Sequence, residues 1–71
     1  MTQREFDQEF KAEDLKFIAE QYESDGVPDK PARREAYNNK TDYYCKEGLI
    51  TESQYNSWGI SDSLENTLYW L

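Results

Sequence analysis

The sequence predicts an all-α fold, a small bundle of three to four short helices. Three observations predict it. No stretch alternates β-branched and polar residues as a half-buried strand does. Apolar residues instead recur at helical spacing through most of the 71 residues. Capping pairs, glycines and prolines fall between these stretches, where helices start and stop.

The first helical segment covers residues 2–24. Thr2 and Glu5 have capping-box spacing. On a regular projection Leu15, Ile18, Ala19 and Tyr22 share one face, and Phe6, Phe10 and Phe17 share a neighbouring one. An apolar arc this wide fits one long helix packed on two sides, or a short helix followed by a second starting near Ala12. Continuity is preferred. Asp25-Gly26 closes the segment, with Gly26 free to turn left-handed.

Val27-Pro28-Asp29-Lys30-Pro31 is a connector stiffened by its prolines. Asp29 is placed to cap the next helix, with Pro31 in its first turn. That helix covers residues 30–47, with Ala32, Ala36, Tyr37, Tyr43 and Tyr44 on one side, and Gly48 ends it. Thr51 and Gln54 form a second capping box, with Ile50 and Tyr55 at the positions of a hydrophobic staple. They predict a short helix over residues 52–58, stopped by Gly59. A last helix starts at Ser61 or Asp62 and carries Leu64, Leu68 and Leu71 as a stripe.

The chain is a single acidic domain over residues 1–71. A domain of this size buries only about 60% of its unfolded surface, so it is marginal without a staple. Cys45 is the only cysteine, which rules out an internal disulfide, and the absence of histidine removes the common zinc patterns. Eleven aromatic residues (six Tyr, three Phe, two Trp) carry the burial instead. The lone thiol suits a reducing compartment, and there is no apolar leader or span, so the expected location is cytoplasmic.

Fifteen acidic residues face eight basic ones, a net charge of −7. Residues 1–26 carry −5, residues 27–47 carry +1 and residues 48–71 carry −3. Such a balance disfavours direct contact with nucleic-acid phosphates or an anionic membrane and favours a basic surface of another protein.

No motif identifies an enzyme. There is no histidine, no glycine-rich phosphate loop and no nucleophile with an evident base. Lys46-Glu47-Gly48-Leu49-Ile50-Thr51 has the outline of a calcium-loop centre, but Tyr43, Cys45 and Gln54 stand where oxygen ligands belong. No metal and no cofactor is expected.

Two features suit partner binding. In one continuous helix Glu5, Glu9, Glu13, Glu20 and Glu23 fall within about 80° of each other at roughly 100° per residue. A row of carboxylates of this kind imitates a line of backbone phosphates. Its bland counterpart is a solvated face in which Lys16 pairs with Glu13 and Glu20. The second feature is an aromatic set, Tyr44, Tyr69 and Trp70, available to grip.

The expected function is an inhibitor or decoy that occupies a basic, nucleic-acid-handling surface of another protein. The analogy, of size and charge only, is with tiny acidic proteins that phages use against host defence. The alternative is a structural or assembly protein, acting as a homo-oligomer, a homodimer included, or as a subunit of a larger complex. There the acidity would serve solubility alone.

Overall fold

Two threonines start helices where the sequence places them. In the computed structural model, which describes residues 1–69, the Thr2 hydroxyl accepts from the Glu5 N–H while the Glu5 carboxylate accepts from the Thr2 N–H. Thr51 and Gln54 make the same reciprocal pair. Each box satisfies two backbone donors that a helix start leaves unpaired. The described residues form four helical segments and no strand.

The first segment is a rod in three parts: α1 (Gln3–Glu9), a π-helical turn (Phe10–Asp14) and α2 (Leu15–Tyr22). After the connector come α3 (Lys30–Lys46), α4 (Glu52–Ser57) and α5 (Asp62–Asn66). The rod is therefore unbroken at Lys11–Ala12, but it is not a regular α-helix either. Leu15 donates its N–H to the carbonyl of Phe10, five residues back.

This wide turn decides which residues are buried. It accommodates one residue more than an α-turn, so everything after it is set back by roughly one 100° step. Ile18 then occupies the direction that a regular helix would give Phe17. Phe6, Phe10, Leu15 and Ile18 form one continuous core face, while Phe17 is turned outward and is 59% exposed. The expected grouping of Phe17 with Phe6 and Phe10 is corrected by that single extra residue. Deleting Ala12, which is exposed, should close the π turn into an α-turn and leave Leu15 and Ile18 on the core face. The deletion variant should match or exceed the parent in thermal midpoint and helical circular dichroism. A large loss would mean that the wide turn is held by contacts of its own.

The core is aromatic, as the composition implies. Phe6 meets Tyr37 and Tyr44 edge-on at 5.0 and 5.5 Å between ring centroids, and Trp58 at a tilt at 5.4 Å. Phe10 meets Tyr37 at 5.3 Å. Edge-to-face pairs at such distances add to the stabilisation from burial alone. Leu64 of α5 closes the cluster, with Ala32, Ala36, Ile60 and Tyr69 packed around it. Leu49 and Leu68 are exposed, and Leu71 of the predicted stripe lies outside the described residues. α5 ends at Asn66, before its predicted stripe reaches Leu68.

The ends of α3 follow from local chemistry. The Asp29 carboxylate accepts from the Ala32 N–H, and Pro31 sits in the first turn. At the other end Gly48 adopts φ +77°. Its N–H reaches the Cys45 carbonyl and the Leu49 N–H reaches the Tyr44 carbonyl. These two bonds make a Schellman cap, which needs a left-handed residue and so favours glycine. α4 ends differently from expectation. Trp58 already turns extended, so Gly59 does not stop the helix.

A buried ion pair joins three segment ends. Arg33 on α3 and Glu23 just after α2 are both almost fully enclosed. Arg33 Nε and Nη2 donate to the two Glu23 oxygens at 2.9 and 2.7 Å. Its Nη1 donates to the carbonyls of Leu64, Glu65 and Thr67 at 3.0, 3.2 and 2.8 Å. The planar guanidinium thus serves a carboxylate and the orphan carbonyls at the end of α5 at once. The neighbouring Arg34 pairs with Glu65 at the surface.

Candidate functional site

The first rod supplies the acidic face, and its geometry depends on the π turn. Glu5, Glu9 and Glu13 follow one another at four-residue spacing. Beyond the turn, Glu20 is set back by about one 100° step, so the predicted straight row bends. Glu23 leaves the face altogether. It is 1% exposed and holds Arg33, so its expected role in partner binding is corrected. Once the chain turns at residues 24–26, Glu23 points at α3 and not at solvent.

The remaining carboxylates differ in what holds them. Glu5 is tied into the capping box, and the hydrogen bonds from Thr2 lower its pKa. Glu9 accepts from the Tyr44 hydroxyl and from Lys40 Nζ at 3.5 Å. Lys40 also reaches Asp14 at 3.4 Å and Glu13 at 3.9 Å. Glu20 is exposed and makes no ion pair among the described residues.

Lys40, not Lys16, is the cation of this face. It rises from α3, only 10% exposed, with its ammonium 5.0 Å from the Tyr44 ring centroid and 5.9 Å from that of Phe6. Burial opposes its charge, yet Asp14, Tyr44 and Glu9 outweigh that and hold its pKa above the ordinary value. One ammonium shared by three carboxylates leaves the cluster negative. Among the described residues no group of Cys, Asp and Glu is arranged to hold a metal ion.

The expected aromatic grip is mostly engaged elsewhere. Tyr44 is half-buried against Phe6 and bonded to Glu9, because α3 turns that ring toward the rod. It is not a free gripping ring. Tyr69 is likewise half-buried and packs on the core. Trp70 lies outside the described residues. Among the described residues the exposed rings are Phe17, Tyr22, Tyr43 and Tyr55, and sequence reasoning missed Phe17 and Tyr22 as surface residues. The adjacent apolar residues Phe17-Ile18-Ala19 were the available signal, since three successive positions sweep about 200° of a helix and cannot all face one core.

Under this face lies a buried tyrosine that sets an alkaline limit. The Tyr37 hydroxyl donates to Asp7 at 2.7 Å and accepts from Gln3 at 3.4 Å. Burial, reinforced by the Asp7 carboxylate, pushes its pKa up to about 12. A raised folded-state pKa adds stability below the unfolded value near 10, and that stability is lost as pH rises toward 12. Tyr37→Phe should flatten this part of the stability–pH curve, read by urea unfolding between about pH 9 and pH 12. It should also cost about 1.5–3 kcal/mol near neutrality, the worth of the hydrogen bond to the Asp7 carboxylate, with the longer bond from Gln3 adding little. An unchanged alkaline slope would assign the loss to other tyrosines.

Among the described residues no helix is long and apolar enough to cross a membrane. The chain matches no family model, no curated protein and no solved structure, so its function has to be argued from the bent acidic face and the exposed rings beside it.

Proposed function

We propose that this chain is a small acidic protein-binding module that occupies a basic, nucleic-acid-handling surface of another protein. One observation carries the reading. Phe17 stands exposed with Glu13 four residues before it and Glu20 three residues after it, and both carboxylates are exposed too. Residues at these spacings are surface neighbours on a helix. Exposed carboxylates steer a basic partner and fix its register, while an aromatic ring supplies contact area. The net charge of −7 adds long-range attraction.

The bend in the row limits the imitation of a regular phosphate line. Charge density and an apolar centre, more than exact phosphate spacing, support the decoy reading.

Glu13→Lys with Glu20→Lys tests it. Both side chains are exposed, so the double variant should keep the parent's helicity. It should lose at least tenfold in affinity for a nucleic-acid-binding partner, whose capture by the parent weakens in high salt and is competed by duplex DNA. Unchanged affinity would end the acidic-face reading. The exposure of Phe17, Tyr22 and Val27 favours a second reading, self-assembly through an apolar patch. A salt-insensitive oligomer in sedimentation, lost in Phe17→Ala, would establish that instead.

A further inference from the structure

A shallow groove runs between α2 and α3. Phe17 and Tyr22 form one wall, Ile18 with Ala32 and Ala36 the floor, and Glu35 stands on the other side. The two alanines, one turn apart, keep the floor low. At Tyr22 the groove continues onto Val27 and Pro28 of the connector. Phe17, Tyr22 and Val27 are about 60% exposed each (59, 61 and 62%). Its volume of about 350 Å³ lies at the lower end for a small-molecule pocket. It is open along its length, which suits a row of side chains.

The charge around it is one-sided. Asp29 and Glu35 line its stretch between α2 and α3, where no base does, and Lys30 lines only its continuation on the connector. Glu13 and Glu20 flank Phe17, and Asp25 lies beside Tyr22 on the connector. Lys40, which reaches Glu13 at 3.9 Å, and the sequence neighbours Lys16 and Lys30 offset them only in part. A second copy of this chain would bring the same acids to the same rim, and like charges placed opposite one another oppose such pairing. A nucleic-acid backbone is excluded for the same reason.

We infer that this groove receives an amphipathic basic helix of the partner protein. Apolar residues at i, i+4 and i+7 lie against Phe17, Ile18 and Ala36, and flanking Lys or Arg residues meet Glu20 and Glu35. This is the helix-in-groove mode, with apolar anchors for affinity and a charged rim for selection. It rests on the reading of the chain as an acidic protein-binding module and names the element that module binds.

The test uses a synthetic helical Leu/Lys peptide with leucines at i, i+3, i+4 and i+7, a matched Leu/Glu peptide, and the full chain labelled for NMR. The Leu/Lys peptide should shift the amides of Phe17, Ile18, Ala32 and Ala36, and the Leu/Glu peptide should not. Phe17→Ala should weaken binding at least tenfold. Glu20→Lys with Glu35→Lys should weaken it at least threefold and flatten its salt dependence. All three residues are exposed, and an unchanged thermal midpoint confirms that the variants fold. Shifts confined to other faces, or Phe17→Ala binding as tightly as the parent, would overturn the groove. If Glu13→Lys with Glu20→Lys still abolished binding in that case, the acidic-face reading would stand without the groove. Peptide-free shifts at the same amides that vanish on dilution would show a second copy in the groove and overturn the inference.

Discussion

Replacing Arg33 by alanine should leave the chain largely unfolded at room temperature. The change strands Glu23 as a buried charge without its partner, which costs about 3–5 kcal/mol. It also strips donors from the carbonyls of Leu64, Glu65 and Thr67, and the loss at the buried Leu64 carbonyl alone costs about 1–3 kcal/mol. A domain of 71 residues has about 4–11 kcal/mol in total, at roughly 0.05–0.15 kcal/mol per residue. Far-ultraviolet circular dichroism and urea unfolding read the outcome. A cooperative transition near the parent midpoint would mean that the pair is not the clasp its geometry suggests. Glu23→Leu combined with Arg33→Met should recover part of the loss, since removing both charges spares the desolvation cost. Recovery stays partial because methionine cannot cap the end of α5.

The same pair sets the acid limit. Burial pushes the Glu23 carboxyl up, but hydrogen bonds from Arg33 and from the Asp29 N–H outweigh it and hold its pKa below the ordinary 4.5. A depressed folded-state pKa adds stability above the unfolded value, and that stability is lost as pH falls through the folded one. Acid unfolding should therefore begin below about pH 4.5, and salt should screen it weakly, because the pair is buried.

Phe6→Ala should be nearly as damaging. Phe6 is wholly buried and touches rings from α3 and from the end of α4, so its removal opens a cavity at the centre of the aromatic cluster. Phenylalanine-to-alanine changes at such sites cost about 3–5 kcal/mol. Phe17→Ala is the matched control, expected to stay within about 0.5 kcal/mol because the ring is mostly in solvent. The contrast in thermal midpoint checks the π-turn register directly. If Phe17→Ala proved the costlier change, the rod would be a regular helix with Phe17 inside.

Several parts were legible because their chemistry is local. Thr2 with Glu5, and Thr51 with Gln54, are caps of three-residue reach. Asp29 before Pro31 and Gly48 after Lys46 act within one turn. The candidate site was less legible. Glu5, Glu9, Glu13 and Glu20 do lie on the first rod. Their alignment, however, depends on a turn that no residue at 10–14 announces, and Lys40 was not paired with them because it comes from α3.

Amino-acid sequence by itself determined that this is an acidic, all-helical chain, where its helices start, and that rings must fill its core. Those properties come from composition and from bonds between near neighbours. Only the tertiary structure decided which of Phe17 and Ile18 faces inward, that Glu23 is a core residue clasping Arg33, and that Lys40 gathers Glu9, Glu13 and Asp14. Each of those outcomes is a competition between distant groups for one buried place. The free energy of such a competition belongs to the packed whole, not to any segment.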